Sequence, residues 1–276
     1  MYLREFYQGI SLAPEAIQAL EEFQAWEWVE VSYERHKKLF YENQEQYFQE
    51  LRELPDGRLW FLYEYCRMAC EVWEKYQQEG IGESIYWDTF SDIRIWCENC
   101  VTQYGTYGLA QYDWLFRHIK MTLFRMGRLQ FEIPGEMELS SIPKSWSEKE
   151  KDPERDLLFV HIPQGEPLLL DSCKDSFSQA EKFFGKGKKR PIFLCHSWLL
   201  GEHLKKLLSP DSNIMEFQKL FQIVEQDYET REAEDRIFGQ TREHPEEYPE
   251  NTSLQVRAKE FLLKGGQLGN GFGVIL

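Results

Sequence analysis

Residues 157–201 constrain the fold more than any other stretch. The segment LLFVHIPQGEPLLLDSCKDSFSQAEKFFGKGKKRPIFLCHSWLLG sets two short apolar runs, Leu157–Ile162 and Pro191–Cys195, on either side of one amphipathic helical segment. Two strands joined by a crossover of this length run parallel, and such a βαβ unit has a right hand. Each run delivers a histidine at its carboxyl end, His161 and His196. Ligands of open sheets bind beyond the carboxyl ends of such strands, and both imidazoles are expected there.

Around this unit the chain divides by period. From Pro14 to about Gly127 apolar residues recur at steps of three and four, most regularly at Leu59, Leu62, Cys66, Ala69, Trp73 and Tyr76. The pattern predicts a helix from Val31 to Leu54, a stop at Pro55-Asp56-Gly57, and a fifth helix from Leu109 to Met126. Leu129–Ile133 alternates like a half-buried strand, so strands are expected beyond residue 127. Pro134–Asp156 reads as a long surface loop with a short strand near Met137–Leu139 and an exposed charge run at Glu148–Lys151. Thr252 with Gln255 forms a capping box for the last helix, and Gly271–Leu276 closes the sheet. The fold class is therefore α+β: an N-terminal helical bundle, residues 1–115, followed by a mixed β-sheet domain with a βαβ unit, residues 116–276.

Charge and composition exclude some functions. A net charge of −15 over 276 residues opposes a nucleic-acid or anionic-membrane surface, which needs clustered Lys and Arg. No run approaches the 18 apolar residues of a membrane span. The protein is expected to be cytoplasmic, and six cysteines, expected to be free, agree with a reducing compartment. Lys182, Lys186, Lys188, Lys189 and Arg190 crowd the turn before the second strand, either as a solvated turn or as a site for a phosphorylated ligand.

Several groups could carry chemistry. Cys66-x3-Cys70 and Cys97-x2-Cys100 have metal-like spacing, but Cys66, Cys97 and Cys100 fall on apolar helical stripes, where cysteine packs as a small hydrophobe; no metal is expected. The glycine run from Gly265 to Gly273 follows a helix and leads into a strand. It reads as a helix stop and turn, since a phosphate cradle must feed a helix N-terminus. Pro163-Gln164-Gly165 is the better anion loop, because it leads to a helix starting near Ser172 with Asp175 completing a capping box. Glu132, His161 and His196 are candidate proton carriers, and Cys195 or Ser197 could give a proton. Buried structural histidines are the plain alternative. Cys195 and His196 cannot pair as nucleophile and base, because strand neighbours point to opposite faces.

Asp92-Ile93-Arg94-Ile95-Trp96, Phe124–Glu132, His161-Ile162-Pro163, Cys195–Leu200 and the glycine-rich end together resemble a bacterial acyltransferase family. Its members pair an N-terminal helical acyltransferase domain with a GNAT-like C-terminal domain. The resemblance implies acyl transfer from acetyl-CoA or another acyl-CoA to a small-molecule or peptide acceptor, with no metal. It implies that Leu157–Ile162 and Pro191–Cys195 splay to admit the pantetheine arm. The coenzyme would then lie along Ile162, Pro163, Gln164 and Gly165, with its pyrophosphate at Ser172 and Cys173 on the helix Ser172–Phe184. His161 or Glu132 would serve as base, and His196, Ser197 or Cys195 as acid. Gln164 is followed at once by Gly165 with no second glycine, a departure from the family's phosphate loop. A non-catalytic binding or regulatory module using the same cleft is the rival reading.

Overall fold

The computed structural model describes residues 1–147, 152, 154–185 and 189–276. The chain forms two units: Met1–Met126 with Pro163–Gly165, and Gly127–Ile162 with Glu166–Leu276.

The first unit contains helices α1 (Leu3–Gly9), α2 (Pro14–Gln24), α3 (Glu27–Glu42), α4 (Gln44–Glu53), α5 (Gly57–Gln78), α6 (Glu83–Tyr104) and α7 (Tyr112–Ile119), then strand β1 (Leu123–Met126). Helix α5 is its pillar and touches α1, α2, α3, α4, α6 and α7. Burial on nearly every side explains its run of Trp60, Phe61, Leu62, Tyr63, Tyr65 and Cys66. Two expectations need correction. The single helix over 31–54 is broken at Asn43, whose extended backbone (φ −150°) frees its side chain to accept from the Gln46 N–H at 3.2 Å. The fifth helix ends at Ile119, because Met121 takes a left-handed conformation (φ 56°) and the chain emerges as β1, ahead of residue 127. The steps of four from Leu115 to Ile119 to Leu123 suit a helix and, at their last member, a strand equally well.

In the second unit the strands are β2 (Leu129–Glu132), β3 (Leu157–His161), β4 (Ile192–Ser197), β5 (Gln222–Asp227) and β6 (Asn270–Ile275), in the sheet order β2-β3-β4-β6-β5. β3 and β4 are parallel, and every other pairing within this unit is antiparallel. Paired residues share a face, so the register sorts the side chains. One face carries Gln130, Glu132, Phe159, His161, Leu194, His196 and Phe272; the other carries Phe131, Leu158, Val160, Phe193 and Cys195. The second face is covered by α10 (Leu170–Phe184), whose buried Cys173, Ser176, Phe177 and Ala180 recur at helical spacing. Phe177 meets Phe131 and Phe193 edge-on at 5.7 and 4.9 Å.

The first face is closed in part by a segment expected to be loop and strand. Two short helices stand there instead, α8 (Glu136–Ser140) and α9 (Lys144–Ser147), and Ile142 between them and Trp146 pack with Phe159, Ile192, Leu194, Phe272 and Val274. The charge run at Glu148–Lys151 lies outside the described residues. Beyond β4 come helices α11 (Leu204–Leu207), α12 (Asn213–Gln218), α13 (Glu232–Phe238) and α14 (Ser253–Leu263). Thr252 caps α14 through the Gln255 N–H at 3.2 Å, with Gln255 reaching back to the Thr252 N–H. The glycine run stops α14 at Gly265 (φ 81°) and then enters β6. There a Cβ on Gly271 would lie 2.2 Å from the Leu200 carbonyl oxygen.

Candidate active site

The site follows from where the sheet comes apart. The described pairing of β3 with β4 ends at Phe159–Leu194, although β3 runs on to His161 and β4 to Ser197. Past that point the described pairs of β3 are with β2, Val160 with Phe131 and His161 with Gln130. β4 pairs only with β6, as His196 with Phe272 and Ser197 with Gly271. Each strand follows its outer partner, and a parting opens between two strands that are parallel neighbours below it. Its lips carry His161 and His196 on one face.

Both histidines have acidic partners. The Nε2 of His161 lies 2.7 Å from Oε2 of Glu132, which is 3% exposed, whereas the His161 side chain is about a quarter exposed. A buried carboxylate holding an accessible ring fixes the ring's orientation. His196 stands 3.6 Å from Oδ2 of Asp227 at the end of β5, and both side chains are about a third exposed.

Cys195 and Ser197 take no part in this arrangement. Alternation along β4 turns them to the α10 side of the sheet. Cys195 is fully buried, and burial pushes its thiol well above the ordinary range. The Ser197 hydroxyl accepts from the Leu199 N–H at 3.2 Å, capping the short turn Trp198–Leu200.

The expected coenzyme positions fall in two places. Pro163, Gln164 and Gly165 group with the first unit, where Gln164 Oε1 accepts from Asn99 Nδ2 at 3.0 Å. Ile162, Ser172 and Cys173 belong to the second. Helix α10 begins two residues earlier than expected, after Leu169 and without a side-chain cap. Asp175 bonds Gln179 Nε2 at 2.7 Å instead of completing a capping box. The N–H groups at the helix mouth are therefore those of Leu170, Asp171 and Ser172, while the Cys173 N–H donates to Leu169 O at 3.0 Å and its side chain is core. Arg128 escaped the sequence reading as a site residue. Its guanidinium Nε donates to Pro167 O at 3.2 Å and its N–H to Ser176 Oγ at 2.9 Å, which places a buried cation beside α10. Of the basic turn, Lys186 and Lys188 lie outside the described residues. Lys189 pairs with Asp152 and Glu154, and Arg190 with Glu181 at 2.8 Å, as in a solvated turn.

All six cysteines are free and buried. Burial raises the thiols of Cys97 and Cys173 to about 11 and that of Cys70 to about 12. Among the described residues no three His, Cys, Asp or Glu side chains gather as a metal site would require.

The description of a GNAT-like C-terminal domain matches residues 123–275, and that of an N-acyltransferase N-terminal domain matches residues 1–121. No curated protein matches the sequence. Among solved structures, an acyltransferase in complex with decanoyl-CoA and teicoplanin is similar at a TM-score of 0.74 and 18% identity, over 99% of this chain and 86% of that one. An acyltransferase in complex with CoA and 10C-teicoplanin gives 0.73 and 19% over the same shares. A third, in complex with decanoyl-CoA, gives 0.65 and 22% over 79% of this chain, which spans only 66% of that one. Identities this low carry the fold alone. The two domain matches carry the family: this chain belongs to the family that joins an N-acyltransferase N-terminal domain to a GNAT-like C-terminal domain.

Proposed function

We propose that the protein transfers an acyl group from an acyl-CoA thioester to an amine or another small nucleophile of a small-molecule or peptide acceptor. The observation that carries this reading is the parting of β3 and β4 with the Glu132–His161 pair on its lip. Acyl-CoA would lie with its pantetheine arm in the parting, where the main chain of β3 would offer an N–H group to the thioester carbonyl. The acceptor nitrogen attacks that carbonyl, a C–N bond forms and the C–S bond breaks. His161, steadied by Glu132, takes the proton from nitrogen; His196, beside Asp227, gives one to the departing thiolate. The mouth of α10, at Leu170, Asp171 and Ser172, with Arg128 close by, suits an anionic part of the coenzyme. Buried reduced thiols support a reducing compartment, the bacterial cytoplasm. No described helix is long and apolar enough to cross a membrane.

The test has two arms. Acyl-CoA binding is read by thermal shift; saturation at 100 times Kd should add about 2.7 kcal/mol of stability. Transfer is read by release of free CoA from decanoyl-CoA with amine acceptors. His161→Ala should lower turnover by about 10²–10⁴-fold with little change in acyl-CoA affinity. Undiminished transfer after replacing both histidines would remove them from the chemistry. Failure of every acyl-CoA to bind would favour the non-catalytic module.

A further inference from the structure

From the structure we infer that Gln130 selects the acceptor, by donating a hydrogen bond to a neutral carbonyl oxygen that the acceptor carries close to its reacting amine. This role rests on the acyl-transfer reading and goes beyond it, to the class of acceptor.

Gln130 lies in the middle of β2, is 1% exposed, and is the direct cross-strand partner of His161. Its side chain therefore stands on the face that carries His161 and Glu132. Its amide nitrogen Nε2 is buried without a hydrogen-bond partner among the described residues. Strand interiors rarely hold such a group, because burying an amide donor unpaired is unfavourable. An apolar residue of the same shape would fill the position better if packing were the only demand. The unmet donor is complementary to an oxygen that arrives with a ligand.

Position and charge narrow what that ligand is. The parting lies on the β4 side of His161, and Gln130 lies on its β2 side. A thioester entering between β3 and β4 meets His161 first, so the group beyond the imidazole belongs to the acceptor. Glu132, two residues along the same strand face, disfavours a carboxylate there. A neutral carbonyl remains, as in an amino-acid amide or the N-terminal residue of a peptide.

The experiment uses the intact protein, decanoyl-CoA, and two probe amines: glycinamide, whose carbonyl adjoins the amine carbon, and ethylamine, which has none. The kcat/KM ratio of the two amines is compared between wild type, Gln130→Met and Gln130→Leu, so that intrinsic amine reactivity cancels. The wild-type preference for glycinamide should shrink by about tenfold in either variant, the loss of roughly one hydrogen bond. The KM for decanoyl-CoA should hold within about twofold, and Tm should rise as the unpaired donor is removed. An unchanged amine ratio overturns the role. A fall of Tm in both variants does so too, by showing that Nε2 is satisfied in the folded protein. Absence of transfer from decanoyl-CoA to either amine in the wild type overturns the acyl-transfer reading beneath it, a result distinct from transfer with an unchanged ratio.

Discussion

At the residue scale, the same residue type meets different fates by depth. His161 and His196 sit on the lips of the parting with carboxylates beside them, whereas His203 is buried with its Nδ1 accepting from the Gly269 N–H at 3.4 Å. Loss of water pushes His203 down to about 4 from its ordinary 6.5. Between those values the unfolded chain binds a proton that the folded chain refuses, so stability falls as pH drops from 6.5 toward 4. The full shift corresponds to about 3 kcal/mol. Urea unfolding at pH 7 and pH 4.5 should show this loss, and His203→Leu should flatten it; an unchanged slope in the variant would assign the acid sensitivity elsewhere. The thiols obey the same rule. Held at about 11 or higher by burial, Cys97 and Cys173 should stay unreactive toward Ellman's reagent at pH 8 in the native protein. All six cysteines should titrate once the chain is unfolded, and rapid native reaction of two or more would contradict their place in the core.

At the element scale, the β3-α10-β4 unit was legible because its signals are local. Two apolar runs flank a helix whose buried positions Cys173, Phe177 and Ala180 recur in step. Where α10 begins was not legible. Ser172 and Asp175 have the right spacing for a capping box, yet the helix starts two residues earlier because packing against the sheet carries it past that local preference. The capping box at Thr252 and Gln255 does form, and Thr252→Ala should cost about 1 kcal/mol by chemical denaturation. Gly271→Ala should cost more, about 1–3 kcal/mol, since its Cβ would meet a main-chain oxygen that cannot swing aside. Equal stability of Gly271→Ala and wild type would mean that the Trp198–Leu200 turn yields freely. The terminal glycines thus serve close packing of β6 beneath that turn, which a reading of spacing alone assigned to a flexible stop.

At the scale of the whole molecule, the sequence by itself determined the class and the order of parts. Helical periodicity before residue 120 and alternating or continuous apolar runs after it are properties of short windows, and each window reports its own secondary structure. It also determined that His161 and His196 stand at equivalent strand ends, because a short crossover leaves only a parallel pairing. What only the tertiary structure decided is which side chains meet. Glu132 reaches His161 across 29 residues of sequence, and Asp227 reaches His196 across 31. Those meetings depend on the register of β2 against β3 and on β6 lying between β4 and β5. A slip of one residue in either register would send the partner to the opposite face. The place where β3 and β4 part was likewise beyond any local signal. It arises because each strand's last residues hydrogen-bond to the neighbour on its outer side, a competition between pairings that exists only once the whole sheet has assembled.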